Sequence, residues 1–174
     1  MKRGRWVMSV FIGIDPGNSG AVAAIDEHGN VLRVCKFSDT TERDICDAIT
    51  SYATWEGLEH EAFAVIEKVN AMPKQGVSST FKFGQSYGFL RGVLIASEIR
   101  FIEVRPQEWQ KAMGCLTKGD KNVSKAKAQQ LFTKEKITHA VADAMLLADY
   151  CRRFAFMKLF DAPGCTRIDA NTSG

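Results

Sequence analysis

Three short apolar runs stand close together near the start of the chain: FIGID (11–15), GAVAAID (20–26) and VLRVCKF (31–37), separated only by PGNS and EHGN. Connectors this short make tight turns, and Gly29-Asn30 is a hairpin pair, so the runs read as strands joined by hairpins. Further along the pattern changes. FAVIEKV (63–69) is a fourth strand, a long helix is expected over roughly 79–98, and RFIEV (100–104) is a fifth strand. Hairpins followed by strand–helix–strand units imply an α/β protein, a mixed five-stranded sheet flanked by helices. In that layout the first and fourth strands lie parallel and adjacent. Their carboxyl ends then share the edge at which open α/β sheets place their sites.

The remaining elements are helical. Thr40 or Thr41 can cap a helix over 42–55, Pro106 fits the first turn of a helix reaching about Met113, and 115–122 is a loop. Helices are expected over 123–132 and over HAVADAMLLADYCRRF (139–154). These elements define one folded domain, 9–154. Residues 155–174, with Pro163-Gly164 and a terminal NTSG, are expected to form a poorly ordered tail. A length of 174 residues, 45% hydrophobic and 25% charged, suits one soluble domain with a real core. No apolar run approaches the ~20 residues of a membrane span, so no membrane partner is expected. The five cysteines show no CxxC or CxxH spacing, which argues against a zinc site or a disulfide framework and for a reducing, cytosolic setting.

Charge is segregated along the chain. Asp39, Glu42, Asp44, Asp47, Glu56, Glu59 and Glu61 make 39–61 strongly acidic, whereas Lys68, Lys74 and Lys82 face no acid within 68–82. Lys118, Lys121, Lys125 and Lys127 make a second basic stretch against Asp120. A basic face that meets phosphates, with an acidic face turned away, accounts for this pattern; solvated surface accounts for any one cluster alone.

Three apolar elements each deliver an acid at an end: Asp15 in FIGID, Glu67 in FAVIE and Asp143 in HAVAD. Asp15 alone reads equally well as the start of a turn, Glu67 as a strand-end acid paired with Lys68, and Asp143 as a helix acid near an N-terminus. Carboxylates that converge at the edge of a core repel one another and lose solvation, so together they call for a cation. Oxygen ligands with at most one imidazole suit Mg²⁺, with Mn²⁺ as a substitute. His139, four residues before Asp143, lies on the same helix face. Two such ions about 4 Å apart can activate water and stabilise a leaving oxygen in phosphodiester hydrolysis.

The order of elements, with IGIDPGNSG, VIEKV, KFGQSYGFLRG (82–92), VRPQEWQ (104–110), GDKNVSKAKAQQLF (119–132) and HAVADAMLLA (139–148), resembles the RuvC-type Holliday junction resolvases of the RNase H-like superfamily. The resemblance spans about residues 11–153 and is nearest to a phage- or chloroplast-like branch. It implies catalytic, metal-binding acids at Asp15, Glu67 and Asp143. Many bacterial members carry a further acid where this chain has Ala140, which makes His139 the candidate fourth ligand. Asn70 stands where bacterial relatives often have an aromatic residue. The resemblance also implies a Mg²⁺-dependent homodimer that cuts branched DNA, resolving four-way junctions by paired symmetric nicks that leave 5′-phosphates. The location implied is a bacterial or phage-infected cytoplasm, or an organelle nucleoid.

Other residues fit that frame. Lys74, Gln75, Lys118, Lys121 and Lys125 are candidate DNA contacts flanking the cleavage site. Gly84, Gly88 and Gly92 form a side-chain-free stripe on the 79–98 helix, costing ~1 kcal/mol each relative to alanine. The stripe suits close approach of another backbone, either a two-fold partner's helix at a dimer interface or the underlying sheet. Phe81, Phe83 and Phe89 are expected to pack, with Phe81 or Phe83, near the helix start, the alternative candidates to wedge into an opened junction centre. Two other functions fit the same pattern: an RNase H-like nuclease acting on other branched DNA or on RNA–DNA hybrids, and a non-catalytic DNA-binding module. IGIDPGNSG is also similar to the first phosphate loop of actin/sugar-kinase ATPases, but those need two such domains and a second glycine-rich loop.

Overall fold

The computed structural model describes residues 8–38, 40–51, 60–68, 76–116 and 120–160. Strands β1 (Met8–Asp15), β2 (Ala21–Ile25) and β3 (Val31–Lys36) pair antiparallel in succession. Strand β4 (His60–Glu67) lies parallel to β1, and β5 (Arg100–Val104) lies parallel to β4, giving the order β3-β2-β1-β4-β5. The mixed five-stranded sheet expected from the hairpin-then-crossover pattern is therefore the one formed. At the β2–β3 turn Gly29 takes a φ of 86°, and the Asp26 carboxylate accepts from the amides of His28 and Asn30 at 2.9 and 2.8 Å. That pairing supplies the hydrogen bonds the turn backbone cannot make to itself.

Helices cover both faces. Helix α1 (Glu42–Thr50) starts at Thr41, whose hydroxyl accepts from the Asp44 amide while Asp44 accepts from the Thr41 amide at 3.0 Å. This capping box decides between Thr40 and Thr41. Helix α2 (Val77–Ala96) buries Leu90, Val93 and Leu94 on the same face of the sheet as Ile12, Ile14, Ala64 and Ile66. Helices α3 (Pro106–Ala112), α4 (Lys121–Leu131) and α5 (His139–Tyr150) build the other face with Phe11, Ala23, Phe63 and Val65. α5 lies directly on β1. A Cβ at Gly13 would run into the Ala144 carbonyl and the Ala148 amide, so only glycine lets this helix come so close. That close seat positions Asp143 over the end of β1.

Two expectations are corrected. The chain does not leave the fold at 155: α5 passes through a π-helical turn, Cys151–Ala155, into α6 (Phe156–Phe160). Ala155 is fully buried, and the Phe156 ring meets Phe11 and Phe63 edge-on at 5.5 and 4.9 Å. Aromatic burial of this kind holds residues 155–160 in the domain; 161–174 lie outside the described residues. The π turn carries Arg152 and Arg153 back onto the buried Asp149, Arg152 bonding it at 2.6 Å and Arg153 adding charge at 2.8 Å without a well-angled hydrogen bond. The second correction concerns Phe81 on α2, beside a glycine stripe for which two sides were open. Nothing among the described residues lies within 4 Å of a Cβ built at Gly84, Gly88 or Gly92, so the stripe faces away from the sheet. Phe81, on the same outward face, is 65% exposed rather than packed.

Candidate active-site cleft

Asp15 is the last residue of β1. Its Oδ1 accepts from the Gly17 amide at 3.0 Å, and the Gly20 amide closes the loop onto the Gly17 carbonyl at 2.8 Å. A Cβ at Gly20 would strike the Asp15 carbonyl, so the DPGNSG loop folds back only because glycine stands there. Glu67 ends β4. The parallel register Ile14↔Ile66 puts these two strand ends side by side. Asp143 comes from the second turn of α5, one turn after His139 at its start.

These side chains share one cleft of about 460 Å³, lined by Asp15, Asn18, Ser19, Glu67, Lys121, His139 and Asp143, with Gly17, Gly20 and Ala140. Burial raises the pKa of all three acids, and each is further raised or held by its neighbours. For Glu67, burial pushes the carboxyl up to about 7, the Trp109 indole opposes the shift, and the Asp15 and Asp143 charges add to it. For Asp143, burial is again the largest cause, followed by the charge of Asp15, while Ser124 and Lys121 oppose it. For Asp15 burial raises the pKa against the Gly17 amide and Lys121. The three acids therefore sit within one another's fields. Lys121 is the cation common to all three.

Among the described residues, no three His, Cys, Asp or Glu side chains are grouped closely enough, as they stand, to hold a metal ion. The donor chemistry nevertheless fits a hard cation. The donors are carboxylate oxygens, they repel one another, and Asp143 Oδ1 is buried with no hydrogen-bond partner among the described residues. Mg²⁺ keeps several waters and binds through one or two carboxylates, so an open arrangement suits it.

The structure thus brings together Asp15, Glu67, His139, Asp143 and Lys121. Lys125 stands one turn further along α4, half-buried, and does not line the cleft. Lys74, Gln75 and Lys118 lie outside the described residues. Two partners of the acids were not anticipated: Trp109, whose Nε1 donates to Glu67 Oε2 at 2.7 Å, and the buried Ser124, whose hydroxyl bonds Asp143. Both occupy positions that read as helix core. The signals for Trp109 are its place in VRPQEWQ and Pro106, which starts α3 just past β5 and hence beside the end of β4.

Among solved structures the fold is similar to RuvC of Thermus thermophilus. The RuvC in complex with a Holliday junction substrate aligns with a TM-score of 0.59 at 17% identity, covering 85% of this chain and 96% of that one. A second Thermus thermophilus RuvC structure aligns with a TM-score of 0.55 at 15% identity, covering 86% and 97%. The chain has a RuvC-like fold. No family model and no curated protein matches its sequence.

Proposed function

We propose that the chain is a Mg²⁺-dependent, structure-selective DNA endonuclease that resolves four-way junctions as a homodimer. The observation that carries this reading is the meeting of Asp15, Glu67 and Asp143, from two strand ends and a helix, in one cleft beside Lys121. The Thermus thermophilus neighbour was solved with a junction substrate, which supports branched DNA as the ligand class here. Asp15, Glu67, Asp143 and His139 are the residues that would hold Mg²⁺ or Mn²⁺, and a bound pair of such ions would supply an activated water and leaving-group stabilisation.

The protein's own groups do the rest. The Gly17 amide fixes one Asp15 oxygen and Trp109 fixes one of Glu67, so neither carboxylate must reorganise as charge is neutralised. Lys121, at the start of α4 where Asp120 caps the Asn122 amide at 2.9 Å, is held to meet a phosphate entering the cleft. Lys125, with Lys74, Gln75 and Lys118, would extend that contact along the strand.

A dimer accounts for the outer face of α2. Val77 is 88% and Ile95 62% exposed, and between them Gly84, Gly88 and Gly92 offer a flat backbone surface. Two cleavage centres related by such a two-fold would cut opposed strands in pairs. The test is a panel of labelled substrates with Mg²⁺ and with Ca²⁺: a four-way junction, a flap, an RNA–DNA hybrid and a linear duplex. Paired nicks in the junction, with the hybrid and duplex left intact, are expected. Preferential hydrolysis of the hybrid would replace this reading with that of a hybrid-cutting RNase H-like nuclease.

A further inference from the structure

One buried side chain that does not itself line the cleft bonds one of its acids. Trp109, the fourth residue of α3, is fully buried, yet its indole nitrogen reaches the carboxylate of Glu67 at 2.7 Å. Two features independent of that bond fix the contact. The register Glu67↔Val104 sets the end of β5 beside Glu67, and α3 begins two residues later at Pro106, so its first turn stands next to the acid. Trp109 is also the bulkiest fully buried side chain among the described residues, wedged in the core layer that holds Val104, Met113, Phe132 and Ile137. A ring enclosed in this way is held in place on the time-average by close packing. The bond lies at the short end for an N–H donor, as expected when the acceptor is charged.

With Oε2 committed to the indole, Oε1 is the Glu67 oxygen left for the cleft. We propose that Trp109 is a positioning residue for divalent-cation capture, holding Oε2 of Glu67 so that Oε1 alone is presented as a ligand. The inference rests on the reading of the cleft as a metal site and adds the group that sets the ligand's orientation. A merely structural role makes a different statement: a buried indole N–H needs some acceptor, and its loss then costs stability alone. Outer-shell partners of metal ligands instead change metal affinity, commonly 10–100-fold.

The experiment measures Mn²⁺ binding by the paramagnetic resonance of the free ion, with metal-free thermal unfolding in parallel. The proteins are the wild type, Trp109→Phe, Asp15→Asn, and a form in which Trp109 is replaced by its benzothienyl analogue, which keeps ring size and exchanges only the N–H for sulfur. Binding weakened about 10–100-fold in both position-109 variants, with the metal-free analogue still unfolding in one cooperative transition, is the result expected. If both bind as the wild type does while Asp15→Asn has lost the ion, the positioning role is overturned and the metal site stands. Loss in the phenylalanine variant but not in the analogue assigns the effect to ring volume and overturns the role equally. A wild type that binds no Mn²⁺, or an Asp15→Asn protein that binds as well, removes the metal site and this inference with it.

Discussion

Removing the charge of Glu67 should stabilise the metal-free protein, and by an amount that depends on pH. Its carboxyl rises from an ordinary 4.5 to about 7 in the folded chain, chiefly through burial. An acid whose folded pKa lies above its unfolded value binds its proton more tightly when folded. The folded state is therefore penalised as pH rises from below 4.5 through 7, and the penalty is complete above 7. At 1.36 kcal/mol per unit, the penalty is roughly 1 kcal/mol at pH 5 and ~3 kcal/mol at pH 8. Glu67→Gln removes it and keeps an oxygen to accept from Trp109. Thermal unfolding followed by circular dichroism in EDTA should show the variant unfolding about 6–12 °C above the wild type at pH 8, and about 2–4 °C above it at pH 5. Saturating Mg²⁺ should reverse the order at pH 8, because only the wild type gains from the ion. Equal unfolding temperatures at pH 8, or a gap of the same size at both pH values, would refute the argument that burial and like charge strain this site.

The other expectations concern the frame that holds the cleft. Phe156→Ala should cost about 2 kcal/mol or more and lower the unfolding temperature by at least about 4–8 °C, since it empties the space against Phe11 and Phe63; an unchanged unfolding temperature would return residues 155–160 to a tail. Gly88→Arg should convert a dimer into a monomer in sedimentation velocity without unfolding the chain, because a Cβ there meets nothing in the described structure and glycine in a helix interior costs ~1 kcal/mol. A Gly88→Arg protein that sediments as the wild type does would move the two-fold elsewhere.

The sheet was legible in the sequence because its signals are local. Hairpin lengths and the Gly29-Asn30 turn specify the antiparallel half, and the apolar runs ending in Asp15 and Glu67 specify which strand ends meet. Asp143 was legible for the same reason, an acid one turn into an apolar helix. Long-range fit was not. Trp109 and Ser124 look like any buried helix residue until α3 and α4 are set beside Glu67 and Asp143. The chain end misled because Pro163-Gly164 and NTSG mark a tail without marking where it starts, whereas Arg152 and Arg153 turn back to a buried Asp149 and Phe156 returns to the core. On α2, glycine spacing suggested a close approach without giving its side, because three glycines at a four-residue interval look alike from either face. Only the burial of Leu90, Val93 and Leu94 opposite decides it.

The central claim is that carboxylates from β1, β4 and α5 act together to hold a divalent ion against a nucleic-acid strand. Nicking of a labelled four-way junction by the wild type and by Asp15→Asn, each with Mg²⁺ and with EDTA, tests it most directly, with junction binding in Ca²⁺ as the control for folding. The wild type should nick only with Mg²⁺, and Asp15→Asn should bind the junction but leave it uncut. Cleavage by Asp15→Asn at the wild-type rate, or wild-type cleavage that persists in EDTA, would contradict it.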